Sequence, residues 1–186
     1  GGPKKYGGFL NVDVRDWNGA TDIVHDLTKF PYPFDSYSVE EIIMMECLEH
    51  ISYKRTVTVL NELFRILKIG GALKIQVPDC GKAMEYYVNN QICECVPQKA
   101  DAVEKYVPEE SCWNCSGKAK IHPLRWLYSF VGAQKHDYDS HLNVFTKDSL
   151  EEVLRKAGFT NWEWTEHPYK LIVKAIKHDR PEGNYV

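Results

Sequence analysis

Long apolar runs are missing from this chain: nowhere in its 186 residues is there a stretch near the roughly 18–20 consecutive hydrophobic residues that a membrane-spanning helix needs. It does not open with the basic, apolar and small-residue succession of a secretory leader, so the cytoplasm is the expected compartment. Basic charge is not in excess either. The 23 Lys and Arg stand against 26 Asp and Glu, and a formal charge of -3 argues against salt-dependent adhesion to a polyanion. No stripe of interleaved aromatic and basic residues is present, which speaks against a nucleic-acid partner and for a small acceptor. Internal repeats and low-complexity tracts are absent. At 21.5 kDa the chain is long enough for one core and short for two, so residues 1–186 are expected to form a single domain. A chain of that size needs no disulfide staples, and Cys47, Cys80, Cys93, Cys95, Cys112 and Cys115 are read as thiols.

What is there centres on Glu46 to Pro78. Val57, Leu60, Leu63, Phe64 and Leu67 recur at helical spacing among Thr56, Asn61, Glu62, Arg65 and Lys68, which predicts an amphipathic helix. Gly70-Gly71 is expected to end it, with Lys68 complementing the helix dipole. Ala72 to Val77 reads as a buried strand closed by Pro78-Asp79, with the carboxylate at the strand's carboxyl edge, where open α/β sheets place their ligands.

Three strands are expected upstream. Phe9 to Val14 carries Asp13 near its end, Asp22 to Leu27 carries Asp26, and Ser38 to Met45 is a third apolar run. A carboxylate closing a strand after a glycine turn suits ribose hydroxyls, although an isolated aspartate can simply start a turn. Strands separated by loops or crossover helices imply a parallel sheet with right-handed connections. Downstream, Gly81 to Asn90 reads as a short helix. Thr146 caps another that ends at Gly158, and Asn161 to Thr165 and Leu171 to Ile176 form two strands joined at His167-Pro168. The tail from Lys177 is polar and expected to fray.

The succession Asn11-Val12-Asp13, Val24-His25-Asp26-Leu27, Phe34-Asp35, Leu48-Glu49-His50-Ile51, Glu62 to Gly71 and Val77-Pro78-Asp79 resembles the class I S-adenosylmethionine-dependent methyltransferases. The likeness is to their compact type-11-like branch and runs from Gly1 to about Phe159. It implies an α/β, Rossmann-like sheet, mostly parallel, with a closing antiparallel hairpin. In that family the first strand precedes the glycine turn, so this strand is expected to be missing from a sequence that begins at the turn.

The resemblance also implies roles. Gly1 and Gly2 would be the remnant of the glycine turn beside the methionine part of the cofactor, Asp13 would hold the ribose hydroxyls, and Asp26 and Leu27 would meet the adenine. Met45 and Glu46 would line the floor beneath the sulfonium.

Residues 91–120 show no sustained period and read as an irregular insertion that selects the acceptor. Within it Cys93, Cys95, Cys112 and Cys115 could give four thiolates to a zinc ion, with His122 as a spare ligand, but reduced cysteines in a polar loop are the favoured reading. Ile121 to Gly132 is apolar enough for a lid or a core helix. Gly132 to Phe145 resembles a stretch of methyltransferase-like proteins found among glycan-assembly enzymes. His50 and His141 are the candidate general bases, with Glu49 as orienting partner; either histidine can instead be an anchor of its loop. His136 fits the anchoring role better. The expected activity is methyl transfer to a small-molecule or glycan acceptor, the alternative being a methyltransferase-like fold that only binds.

Overall fold

In the computed structural model, which describes residues 7–89, 129–134 and 138–179, ten elements follow one another. They are β1 (Val12–Asp13), β2 (Ile23–Val24), β3 (Val39–Met45), a 3-10 turn (Leu48–His50), α1 (Tyr53–Ile66), β4 (Leu67–Pro78), α2 (Cys80–Val88), α3 (Lys147–Lys156), β5 (Asn161–Thr165) and β6 (Lys170–Ile176).

Four strands form a sheet in the order β3-β4-β6-β5, and β1 pairs with β2 in a separate parallel ribbon. β3 and β4 are parallel, while β6 runs antiparallel to both β4 and β5. The closing hairpin is therefore present, but the sheet is mixed rather than mostly parallel. The reason is local: β6 turns back after His167-Pro168 and inserts between β4 and β5, so the two parallel neighbours that a crossover would have produced are separated by a reversed strand.

Alternation along the strands sets the core. Leu73, Ile75 and Val77 of β4 and Leu171, Val173 and Ala175 of β6 point to one face and are buried, whereas Lys74, Gln76, Lys170 and Lys174 point to the other. Helix α1 covers the buried face with Val59, Leu60, Leu63 and Phe64, and α3 covers it with Leu150 and Leu154. Phe64 meets Phe159 edge to face at 5.0 Å. Each such fully buried side chain is worth about 1.5–3 kcal/mol. The expected α3 cap is present as a reciprocal pair, with Ser149 N donating to Thr146 Oγ1 and Thr146 N donating to Ser149 Oγ.

Three boundaries differ from the sequence expectation. Helix α1 ends at Ile66, and Leu67 is already extended, so its apolar stripe is carried by Val59 rather than by Val57 and Leu67. Gly70-Gly71 consequently lies inside β4. Gly70 has φ +79°, and a Cβ on Gly71 would stand 2.8 Å from the Lys68 carbonyl oxygen and 2.9 Å from that of Glu40. Lys68 pairs with Glu40 across the sheet instead of serving the helix end. The β1 and β2 strands shrink to two residues each because side chains take over the backbone pairing around them: Asn11 Nδ2 donates to the Ala20 carbonyl, and the Asp16 carboxylate accepts from the Gly19 and Thr21 amides. Among the described residues no helix is long and apolar enough to cross a membrane.

Candidate functional site

β3 and β4 are parallel, so the segments that leave them emerge at the same edge of the sheet. From β3 come Glu46 and the turn Leu48–His50; from β4 comes Asp79. Asp79 is committed to structure: its amide donates to the Tyr169 carbonyl, and its Oδ1 accepts from Lys82 N at 2.9 Å, capping α2. The turn after β3 is different. Its Glu49 carbonyl accepts from the amides of Leu142 and Asn143, and Asn143 Nδ2 donates to Thr56 Oγ1 on α1. Those bonds hold the loop of His141 over the turn of His50, although about ninety residues separate them in sequence.

The result is a cavity of about 180 Å³ lined by Glu46, Glu49, His50, Pro78, Ser129, Gly132, Ala133, Asp139, His141, Tyr169 and Lys170. The two imidazoles meet edge to face with centroids 5.0 Å apart. His50 Nδ1 lies 3.1 Å from the Ser140 carbonyl and His141 Nδ1 lies 3.2 Å from that of Ser129. A carbonyl can only accept, so each Nδ1 donates, the tautomer that leaves the lone pair of an imidazole on Nε2. Glu49 was expected to orient a histidine. It does not: its side chain is 1% exposed, and neither carboxylate oxygen has a hydrogen-bond partner. Backbone carbonyls orient the rings in its place.

Burial, reinforced by the Glu46 carboxylate, pushes the Glu49 carboxyl up to about 8, against the opposing influence of nearby backbone and of Lys170. Burial also lowers the pKa of His141, and the neighbouring His50 lowers it further. Lys170 Nζ stands 2.9 Å from Glu46 Oε1, which also accepts from Gln76 Nε2. The loop geometry depends on Gly132. Its φ is +74°, and a Cβ there would lie 2.0 Å from the Asp139 carbonyl oxygen and 3.0 Å from His141 Cδ2. Gly132→Ala should therefore cost about 1–3 kcal/mol through backbone strain alone, read as a lowered urea midpoint at unchanged slope.

No protein-family model and no curated protein matches the sequence. Solved structures do resemble it distantly. A SAM-dependent methyltransferase and possible histamine N-methyltransferase from Thermotoga maritima shares 16% identity over 82% of this chain and 62% of its own, with a TM-score of 0.45. The 1,6-didemethyltoxoflavin-N1-methyltransferase of Burkholderia thailandensis, solved with that substrate and S-adenosylhomocysteine, shares 13% over 90% of this chain and 60% of its own, at 0.47. A possible exported protein of Bordetella parapertussis shares 14% over 84% and 44%, at 0.48. The chain spans less than two thirds of each of them. All three scores fall below 0.5, so these likenesses carry no argument, and the functional reading has to come from the residues.

The remaining sequence candidates divide between three places. Glu46, His50 and His141 share the cavity. Met45, one residue before Glu46, lines a separate depression of about 410 Å³ with Ile43, Lys74 and Ile172. Asp13 and Asp26 follow neighbouring parallel strands, the Asp13 carbonyl accepting from His25 N at 2.8 Å. Asp26 Oδ1 accepts from both the amide and the hydroxyl of Thr28. Burial would raise its pKa, but those two bonds and the charges of Lys29 and His25 outweigh it, and the carboxyl is lowered. Leu27 packs against the core, and its carbonyl accepts from the Tyr32 hydroxyl.

The Cys47 thiol is raised to about 11 by burial and, further, by the carboxylates of Glu49 and Asp13. Gly1, Gly2, His136, the thiol set Cys93, Cys95, Cys112 and Cys115, and His122 lie outside the described residues. Sequence reading missed Asp139, Tyr169 and Lys170 as lining residues; Asp139 sits two positions before His141, which was the available signal, and the other two had none.

Proposed function

We propose that the chain carries the cofactor and acceptor sites of an S-adenosylmethionine-dependent methyltransferase acting on a small-molecule or glycan acceptor. One arrangement supports this reading: Asp13 closes β1 and Asp26 follows its parallel neighbour β2, the charges of Asp13 and Glu49 both act on the Cys47 thiol after β3, and a histidine-lined cavity opens where the parallel strands β3 and β4 end. The residues suit an adenosyl group. Both Thr28 bonds fall on Asp26 Oδ1, so Oδ2 keeps acceptor capacity for an amino group, and Leu27 offers an apolar flank. Asp13 would accept from the ribose hydroxyls.

The cofactor would supply a methyl group already activated on a sulfonium, so the chain's own task is to position the acceptor and take its proton. The Nε2 lone pairs of His50 and His141 are available for that transfer, because their Nδ1 atoms are held as donors by Ser140 and Ser129.

Calorimetric titration of the folded, full-length protein with S-adenosylmethionine should show binding. Asp13→Ala and Asp26→Ala should each weaken it at least about tenfold, as expected for hydrogen bonds to a charged group. No heat at millimolar cofactor, or affinities unchanged in both variants, would overturn the reading.

A further inference from the structure

We propose that Glu49, His50 and His141 form a binding site for a divalent first-row transition metal, with a coordination position open to the cavity. One ligand atom from each of the three lies within 4.8 Å of the other two. Around a zinc-sized ion with bonds of about 2.0–2.2 Å, tetrahedral ligand atoms stand roughly 3.4 Å apart, so rotations of the side chains by about an ångström close the set.

Two features mark the cluster as more than a chance meeting. The Glu49 carboxylate is almost wholly removed from water, yet no donor completes a hydrogen bond to it, an arrangement that costs free energy unless a cation or a proton takes its place. Both histidines are also held through Nδ1 by backbone carbonyls, the outer support that fixes an imidazole with Nε2 turned to a metal. Two imidazoles and one carboxylate select zinc, iron or cobalt over calcium and magnesium, which prefer oxygen ligands throughout. Three protein ligands leave a fourth position for water or an acceptor oxygen, and all three line the cavity that Asp139, Tyr169 and Lys170 share.

The inference is independent of methyl transfer, since it concerns only these three side chains; in the metal-loaded protein they would be ligands rather than bases. Chelator-stripped full-length protein is titrated with Co²⁺ and followed by visible absorption. One equivalent should develop d–d bands without the near-ultraviolet charge-transfer band of a thiolate ligand, which separates this site from any cysteine site in the chain. Zn²⁺ should displace that cobalt. Glu49→Gln keeps the side-chain shape and leaves no ionisable carboxyl to bury, so it should fold, and it should weaken Co²⁺ binding at least about a hundredfold. His141→Ala should abolish the bands, with circular dichroism confirming that it remains folded. Bands that persist in both variants, or cobalt bound through thiolates alone, would overturn the proposal.

Discussion

Lys177→Met is expected to destabilise the protein by about 2–4 kcal/mol and to lower its melting temperature by roughly 5–15 °C. Lys177 is 3% exposed, and its Nζ donates to the carbonyls of Phe64 at 2.6 Å and Leu67 at 2.7 Å, with Arg65 at 3.4 Å. Carbonyls at a helix C-terminus have no partner within the helix, and the helix dipole makes that end negative. Here the last turn of α1 is buried: the amides of Tyr37 and Ser38 serve the Arg65 and Ile66 carbonyls, and a lysine more than a hundred positions away serves those of Phe64 and Leu67. The cation also lies 3.8 Å from the Tyr37 ring and 4.7 Å from that of Phe64. Methionine keeps the apolar stem but removes every donor, leaving buried carbonyls unsatisfied. Lys174→Met, three residues earlier on the exposed face of β6, is the control and should change stability by no more than about 0.5 kcal/mol. Thermal melts of the two variants side by side decide the matter; equal shifts would mean that Lys177 acts only through its stem.

That lysine also shows where sequence reading stopped. The helix, most of its apolar stripe and the buried strand after it were legible, because each follows from short-range periodicity, whereas the Gly-Gly pair was assigned to the helix end and lies inside β4. The partner of the helix end was not legible. Lys68 lies next to the helix and was the local candidate, whereas Lys177 sits in a tail that looks polar and fraying. It reaches α1 only because β6 pairs with β4: Lys177 N donates to the Gly71 carbonyl, and Gly70 N donates to that of Lys177. The glycines assigned to stopping a helix thus bend the strand so that a lysine more than a hundred positions away arrives at that helix. Pairing across such separations leaves no trace in local pattern. The same reason explains the sheet, whose hairpin was readable while the insertion of β6 between β4 and β5 was not.

Three of the candidate residues meet and the others do not: Met45 lines a separate depression, and Asp13 and Asp26 belong to the β1-β2 ribbon. Histidines and acids at strand ends stand out in any sequence, and His50, His141 and Glu46 do share a cavity. What could not be read is which polar atom meets which. A carboxylate adjacent in sequence to a histidine was the obvious orienting group, but adjacent residues on a tight turn point different ways. Glu49 turns inward and His50 is held by the Ser140 carbonyl. Met45 and Glu46 also part ways: Met45 ends the strand, whereas Glu46 has φ +48° and carries its carboxylate to Gln76 and Lys170.

Glu49 gives the second large effect, and its sign follows from linkage. Its carboxyl is raised from an ordinary value of 4.5 to about 8, so between those pH values the folded protein holds a proton that the unfolded chain has lost. Stability from this group is fully present below about pH 4.5, declines as pH rises, and is gone above about 8. The full change is on the order of 3–5 kcal/mol. In chelator-containing buffer, urea denaturation at pH 5, 7 and 9 should therefore show the natural protein losing stability more steeply than Glu49→Gln. The variant would be no more stable at pH 5 and clearly more stable at pH 9, where the natural chain must bury a charge without a partner. Parallel stability curves would mean that water reaches the carboxylate. Saturating Zn²⁺ should reverse the order at pH 9, because an ionised Glu49 then has the cation it otherwise lacks, and glutamine cannot replace it.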